Sequence, residues 1–238
     1  MISSFFEESI VKRAQDKKLI KIEAINLRDF AIDSYGSVDD KPYGGGAGMV
    51  LRVDILYKAL QSIIKIPNSK TVLTSAKGKI FNQQKAQEYA KLDHLILIAG
   101  HYEGVDERVL DFIDEEVSIG DFVLTGGEIA ASAIVDSVVR LVPGVLKKEE
   151  ATQIESFFDV SIDRVIEAAG ENEILIKLKK RGLKKIKLLE YPQYTRPEDF
   201  MGKKTPRTLL SGSHKEIEKW RIKKAFEQTI KKRPDLLK

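Results

Sequence analysis

Apolar residues recur at helical spacing over residues 3–17, where Phe5, Phe6, Ile10 and Ala14 fall near one side. Residues 20–26 then alternate apolar and polar positions, the period of a half-buried strand. Residues 27–50 follow neither period and are rich in Asp and Gly, as a loop is. Helical spacing returns over residues 53–66 through Ile55, Leu56, Leu60, Ile63 and Ile64, and Pro67 stops it. Residues 71–74 read as a short strand and 83–92 as a helix. Residues 94–99 form a continuous apolar run ended by Gly100, the pattern of a strand covered on both faces of a parallel sheet. Residues 106–113 read as helical, 117–124 as extended about Gly120, and 128–141 as a strongly apolar helix. Strand and helix alternate, which predicts an α/β domain over residues 1–146.

Beyond Pro143 the pattern changes. Residues 147–163 are polar and loop-like; 164–188 are charged, helical in spacing, and end in a run without acids from Lys177 to Lys187. Residues 194–238 contain short amphipathic helices, including 215–230. This predicts a linker over 147–188, carrying a charged segment, and a small basic helical domain over 189–238.

Charge sharpens that division. The net charge is +4, but residues 201–238 hold 12 Lys/Arg against 4 Asp/Glu, so the remainder is net −4. A basic end on a near-neutral body is either a handle for a polyanion or a solvated helix face. The absence of cysteine excludes disulfides, thiolate catalysis and Cys-based metal sites. His94, His101 and His214 are not spaced as a metal set and read as surface or loop residues. No run of about 18 apolar residues is present, and the first residues carry Glu7 and Glu8 where a secretory signal carries cations, so a cytosolic location is expected.

Three glycine-bearing loops are the candidate chemistry. Pro42-Tyr-Gly-Gly-Gly-Ala-Gly-Met49 is not followed by Lys-Ser/Thr, which excludes a phosphate-binding P-loop, and no strand–GxGxxG–helix unit is present. Gly100-His-Tyr-Glu-Gly-Val-Asp-Glu-Arg108 begins where an apolar strand ends, at the edge where open α/β sheets bind ligands. Asp106 and Glu107 also suit the first turn of a helix, so some of these carboxylates are read as caps. Ser118-Ile-Gly-Asp-Phe-Val-Leu-Thr-Gly-Gly-Glu128 carries more glycines than a plain strand–turn–helix requires.

Together with Pro143-Gly-Val-Leu146, Glu190-Tyr-Pro-Gln-Tyr-Thr-Arg-Pro197 and Leu210-Ser-Gly-Ser-His214, these motifs, in this order, closely resemble the bacterial tRNA (guanine-N1)-methyltransferases. The resemblance implies a SPOUT-type trefoil-knotted α/β domain, S-adenosylmethionine bound in the knot loops, and an obligate homodimer with its active site at the subunit interface. It also implies tRNA as substrate, N1 of guanosine at position 37 beside the anticodon as methyl acceptor, and a Mg²⁺ requirement. Carried over by motif, Ser75, Gly100, Tyr102, Glu103, Ser118, Ile119, Gly120, Phe122, Leu124, Gly126 and Gly127 would line the cofactor pocket. Arg140 would stabilise charge building on guanine O6, though a cation at a helix C-terminus is also favoured by the dipole. Glu155, standing where the family has an aspartate before Ser-Phe, would be the general base, with Asp159 as its rival. Lys203, Lys204, Arg207, Lys219, Arg221, Lys223 and Lys224 would grip phosphates, while Trp220 reads as a core residue. A related methyltransferase acting on another RNA guanine, or an RNA-binding relative without catalysis, are the alternatives.

The chain departs from the family's pattern in places. Ala76 stands for a common Pro and Phe122 for a common Tyr. A leading strand is expected to be missing before Met1-Ile-Ser-Ser. About 25 residues, 161–185, are extra, and are expected to be a surface addition.

Overall fold

The structure is a computed structural model that describes residues 3–147 and 155–237. The chain divides into two compact units, Met1–Lys147 and Lys148–Lys238. Residues 148–154, the start of the segment read as a loop, lie outside the described residues, as do Met1 and Ile2.

The first unit runs α1 (Ser3–Phe6), α2 (Ser9–Asp16), β1 (Asp39–Asp40), β2 (Val50–Leu51), α3 (Val53–Ser62), β3 (Ser69–Ile80), α4 (Gln83–Tyr89), β4 (His94–Ala99), β5 (Glu115–Ser118) and α5 (Glu128–Val139). The main sheet is parallel with order β4-β3-β5. The chain makes β3, then β4 on one side of it, then crosses to place β5 on the other. The apolar run of β4 is covered on both faces, as its composition predicts. Ile96 and Ile98 pack with Leu73, Ile55, Leu56, Leu60 and Val109 on one face. Leu95 and Leu97 pack with Val72, Ala86, Tyr89, Val117 and Ile134 on the other. Val72 and Leu73, adjacent on β3, enter opposite clusters because successive strand side chains alternate.

The structure differs from the sequence reading at several elements. Residues 20–26 keep their alternation, with Ile20 and Ile22 half-buried against Phe6, Val11, Ala14 and Val139, but form no ladder. Burial of one edge is enough to produce the period. β3 extends to twelve residues rather than four, with a register shift between Thr74 and Lys79. The predicted helix at 106–113 is a 3-10 segment, Glu107–Phe112. The extended segment at 117–124 stops as a strand at Ser118.

The second unit contains β6 (Phe158–Ser161), α6 (Ile162–Ala169), α7 (Glu173–Lys180), β7 (Lys185–Leu188), β8 (Asp199–Phe200), β9 (Lys203–Lys204), α8 (Arg207–Leu210) and α9 (His214–Lys232). It is mixed rather than purely helical: β6 pairs β7 antiparallel, and β8 pairs β9. The extra segment is not a surface addition. Val160, Ile162, Val165, Leu175, Leu178, Ile186 and Leu188 form one buried cluster with Ala225, Phe226 and Leu237. Apolar residues at helical spacing on α6 and α7 require a partner surface, and α9 supplies it.

Candidate active site

The glycine-bearing loops of the first unit converge at the carboxyl ends of β3, β4 and β5. Gly127 N–H donates to Gly100 O at 2.6 Å, and His101 bridges Gly126. A Cβ on Gly127 would lie 2.4 Å from Thr74 Oγ1 and 2.7 Å from Gly100 N, so no other residue fits without displacement. Thr74 Oγ1 itself donates to Ile98 O across the β3–β4 pair. Gly78 is equally confined: its Cβ would meet Val117 N at 2.4 Å, where β3 shifts register and passes over β5. Phe81 N–H then donates to Ser118 O at 2.7 Å. The first loop joins the second, since Glu103 N–H donates to Met49 O and the Glu103 side chain lies against Gly48.

Most of the sequence-predicted cofactor residues are therefore on one set of interlocked loops. Gly100, Gly126 and Gly127 form its backbone centre. Ser118 is buried, and its hydroxyl closes a turn with the N–H and O of Gly120. Ser75 is half-buried and its hydroxyl accepts from Lys77 N–H. Ile119 and Leu124 are half-buried, and the Phe122 ring lies against Gly120 while remaining exposed. Tyr102 is exposed and held at φ 57°, a region that a bulky residue rarely occupies. Exposed Val123 and Ile129 stand on the same loop and the first turn of α5.

Several nearby carboxylates are structural. Asp106 caps the 3-10 segment through Arg108 N–H and pairs with the Arg108 guanidinium, whose hydrogen bond holds the Asp106 carboxyl below its usual range. Glu107 pairs with Lys77. Beneath the site, Glu115 accepts from Lys85, Tyr89 and Lys70. Burial alone pushes its carboxyl up, but these three donors outweigh burial and hold it below its usual value. Burial, reinforced by Glu115, pushes the Tyr89 hydroxyl far up.

Arg140 is the half-buried C-cap residue of α5 in the first unit. Glu155 belongs to the second unit and is half-buried at the start of a four-residue turn, where Phe158 N–H donates to Glu155 O. The third residue of that turn, Phe157, sits at φ 75°. It is held there by its N–H to Leu188 O and by the Arg233 guanidinium 5.8 Å from its ring centre. Ser156 Oγ accepts from Glu190 N–H, which ties this turn to the Glu190-Tyr-Pro motif. Asp159 faces Lys187 across the β6–β7 ladder and forms an ion pair with it at 3.2 Å.

Of the candidate phosphate-gripping residues, Lys203 and Lys204 are exposed on β9, Arg207 on α8, and Arg221 and Lys223 on α9, while Lys219 and Lys224 on α9 are half-buried. Some are partly engaged: Lys219 with Glu167, Lys224 with Glu227, and Lys204 with Asp199 at 3.9 Å. Trp220 is half-buried between Tyr191 and Tyr194, and Arg221 lies over the Tyr191 ring.

Sequence reasoning missed Thr74, Gly78 and Phe157. The signal for Thr74 is a hydroxyl inside an apolar strand. Gly78 shows as a glycine within a pattern that continues as a strand, which marks close backbone approach. Phe157 carries no local signal. Among the described residues, no group of three or more His, Asp or Glu could hold a metal ion, and no helix is long and apolar enough to cross a membrane.

This geometry defines an α/β domain whose candidate site is built largely from backbone at the carboxyl ends of parallel strands. The family model for tRNA (Guanine-1)-methyltransferase TrmD matches residues 1–238. A tRNA (guanine-N(1)-)-methyltransferase of Dictyoglomus turgidum is 48% identical over 237 residues, covering 100% of this chain and 85% of the relative. Proteins of the same name from Citrifermentans bemidjiense and Carboxydothermus hydrogenoformans are each 49% identical, covering 97% of this chain and 82% and 80% of theirs. The chain belongs to the tRNA (guanine-1)-methyltransferase family.

Proposed function

We propose that this protein transfers the methyl group of S-adenosylmethionine to N1 of guanosine at tRNA position 37, working as a homodimer with a SPOUT-type knotted cofactor domain. The observation that carries this reading is the glycine cradle where Gly127 N–H meets Gly100 O beside Thr74. A planar adenine needs an apolar wall and backbone partners. Ile119, Leu124 and Phe122 would supply the wall; Ser75, Gly100, Tyr102, Glu103, Ser118, Gly120, Gly126 and Gly127 would supply the rest. When bound, S-adenosylmethionine supplies an electrophilic methyl on a sulfonium. N1 of guanine carries a proton and is a poor nucleophile until that proton leaves. Glu155 takes the proton, the N1–CH₃ bond forms, and the C–S bond breaks with its electrons on sulfur. Arg140 stabilises charge building toward O6. The backbone strain at Phe157, next but one to Glu155, supports a turn held for function. Among the described residues no group of three or more His, Asp or Glu stands ready to hold a Mg²⁺ ion.

Lys203, Lys204, Arg207, Lys219, Arg221, Lys223 and Lys224 would hold the anticodon stem by its phosphates while the base is extruded. Exposed Tyr102, Phe122, Val123 and Ile129 around the cradle support a site completed by a second copy. The test is incubation with tRNA transcripts and labelled S-adenosylmethionine, followed by mapping of the methylated nucleotide. Label at guanine N1 of position 37 is the outcome required; label on another base, or none, refutes the reading.

A further inference from the structure

The acid-free run noted in the sequence proves to be one surface. Residues 173–187 hold seven Lys/Arg and one acid. Two of the cations are used inside the fold: Lys179 pairs with Asp163 and Lys187 with Asp159. The other five, Lys177, Lys180, Arg181, Lys184 and Lys185, are exposed and make no ion pair among the described residues. A face kept for solubility mixes both signs. This one sets Lys177 against Lys180 and Arg181 at spacings of three and four, where like charges destabilise a helix by about 0.2–0.5 kcal/mol each. The α7 C-terminus offsets part of that cost through its dipole.

The surface is also held in shape. Gly182 (φ 83°) closes α7: its N–H donates to Lys179 O, and Leu183 N–H donates to Leu178 O at 3.2 Å. This double closure is a Schellman turn. Leu183 packs on the buried cluster, so the chain reverses and brings Lys184 and Lys185 back beside the helix end. A ligand meeting these cations need not order a loop first.

The patch is distinct from the α8–α9 basic surface. α6 packs along α9, and its charges are balanced there by Arg164–Glu218 and Lys219–Glu167 pairs flanking a cavity of about 190 Å³. α7 packs against α6. Two basic surfaces therefore stand on different elements of one unit, with a seam of paired charges between α6 and α9.

We propose that Lys177, Lys180, Arg181, Lys184 and Lys185 form a second binding surface for the sugar-phosphate backbone of the RNA substrate, separate from the surface on β9, α8 and α9. This rests on tRNA being the substrate. The test uses the full chain with all five changed to Ser, and a control set with charge kept (the four Lys→Arg and Arg181→Lys). Binding of a tRNA transcript is measured over a salt series, with thermal melting to establish that each variant is folded. The Ser set should weaken binding tenfold or more near 0.1 M salt and make the log–log salt slope shallower by about 0.7–0.9 for each phosphate lost. S-adenosylmethionine affinity should not change, and the charge-kept set should bind as the wild type does. A Ser set with unchanged affinity and slope overturns the proposal, as does a charge-kept set that binds as weakly as the Ser set. The wild-type methylation assay separates the two readings. A wild type that binds tRNA without methylating it refutes the proposed activity, while the salt slopes still decide this surface.

Discussion

The two units differ in how closely their chain segments approach at glycine. In the first, Gly78, Gly126 and Gly127 sit where a Cβ would come within 3 Å of backbone or side-chain atoms. In the second, Gly170, Gly182, Gly202 and Gly212 have open space around them and positive φ. The first unit has turn glycines of this kind too, at Gly44, Gly45 and Gly104, but adds positions where glycine lets chain segments touch. The first thereby builds its candidate site from the backbone, whereas the second presents side-chain charge on a small apolar cluster. Replacements should accordingly damage the first unit by crowding and the second by loss of a functional group or a turn.

The largest effect should come from Glu155→Gln, which keeps size and removes the proposed base. In single-turnover assays the chemical step should slow by about 10²–10⁴-fold while S-adenosylmethionine affinity holds. If Asp159→Asn shows that loss instead, the proton acceptor is Asp159 despite its pairing with Lys187.

Gly127→Ala should do the reverse. Crowding against Thr74 and Gly100 should destabilise the first unit by about 1–3 kcal/mol and abolish cofactor binding. Calorimetric titration showing normal binding would break the comparison.

Glu115→Ala removes the acceptor beneath the site and strands the buried Tyr89 hydroxyl, at a cost of about 1–3 kcal/mol at neutral pH. The Glu115 carboxyl is held down in the folded protein, so its contribution is present above the unfolded value of about 4.3 and is lost as pH falls through the lower folded one. Melting curves of wild type and variant should therefore converge as pH drops from 7 toward 3. A constant gap would mean that packing, not the ionised carboxylate, is what Glu115 contributes.

The smallest effect should come at the α7 turn. Gly182→Ala forces a Cβ into the left-handed region and should cost about 1 kcal/mol, while Gly182→Asn, which tolerates that region, should cost less. Chemical denaturation of the two variants tests the ranking; equal losses would indicate crowding rather than φ.

What the sequence made legible follows the range of each interaction. β4 and α5 are evident because their apolar runs are local and extend along the whole element. The glycine-bearing loops are evident as motifs, although their interlocking is not, since Gly127 meets Gly100 and Thr74 from far along the chain. The β6–β7 ladder was hidden because Val160 and Ile186 pair across two intervening helices, and each strand is too short for periodicity to declare. The same holds for residues 20–26, where alternation records one half-buried edge and says nothing about a pairing partner. The proposed proton acceptor, Glu155, is legible through motif likeness alone; the strained turn that carries it leaves no trace in local pattern.

The strand order β4-β3-β5 has a consequence for synthesis on the ribosome. β3, the middle strand, is the first of the three to be made. β3 has both hydrogen-bonding edges filled once Ser118 has emerged, and the face of Val72 is covered only when Ile134 of α5 follows. At about 5–20 residues per second, the nascent chain carries an open, apolar strand for on the order of seconds. Slow codons between β4 and β5 would lengthen that window and raise the chance that a neighbouring chain caps β3 first.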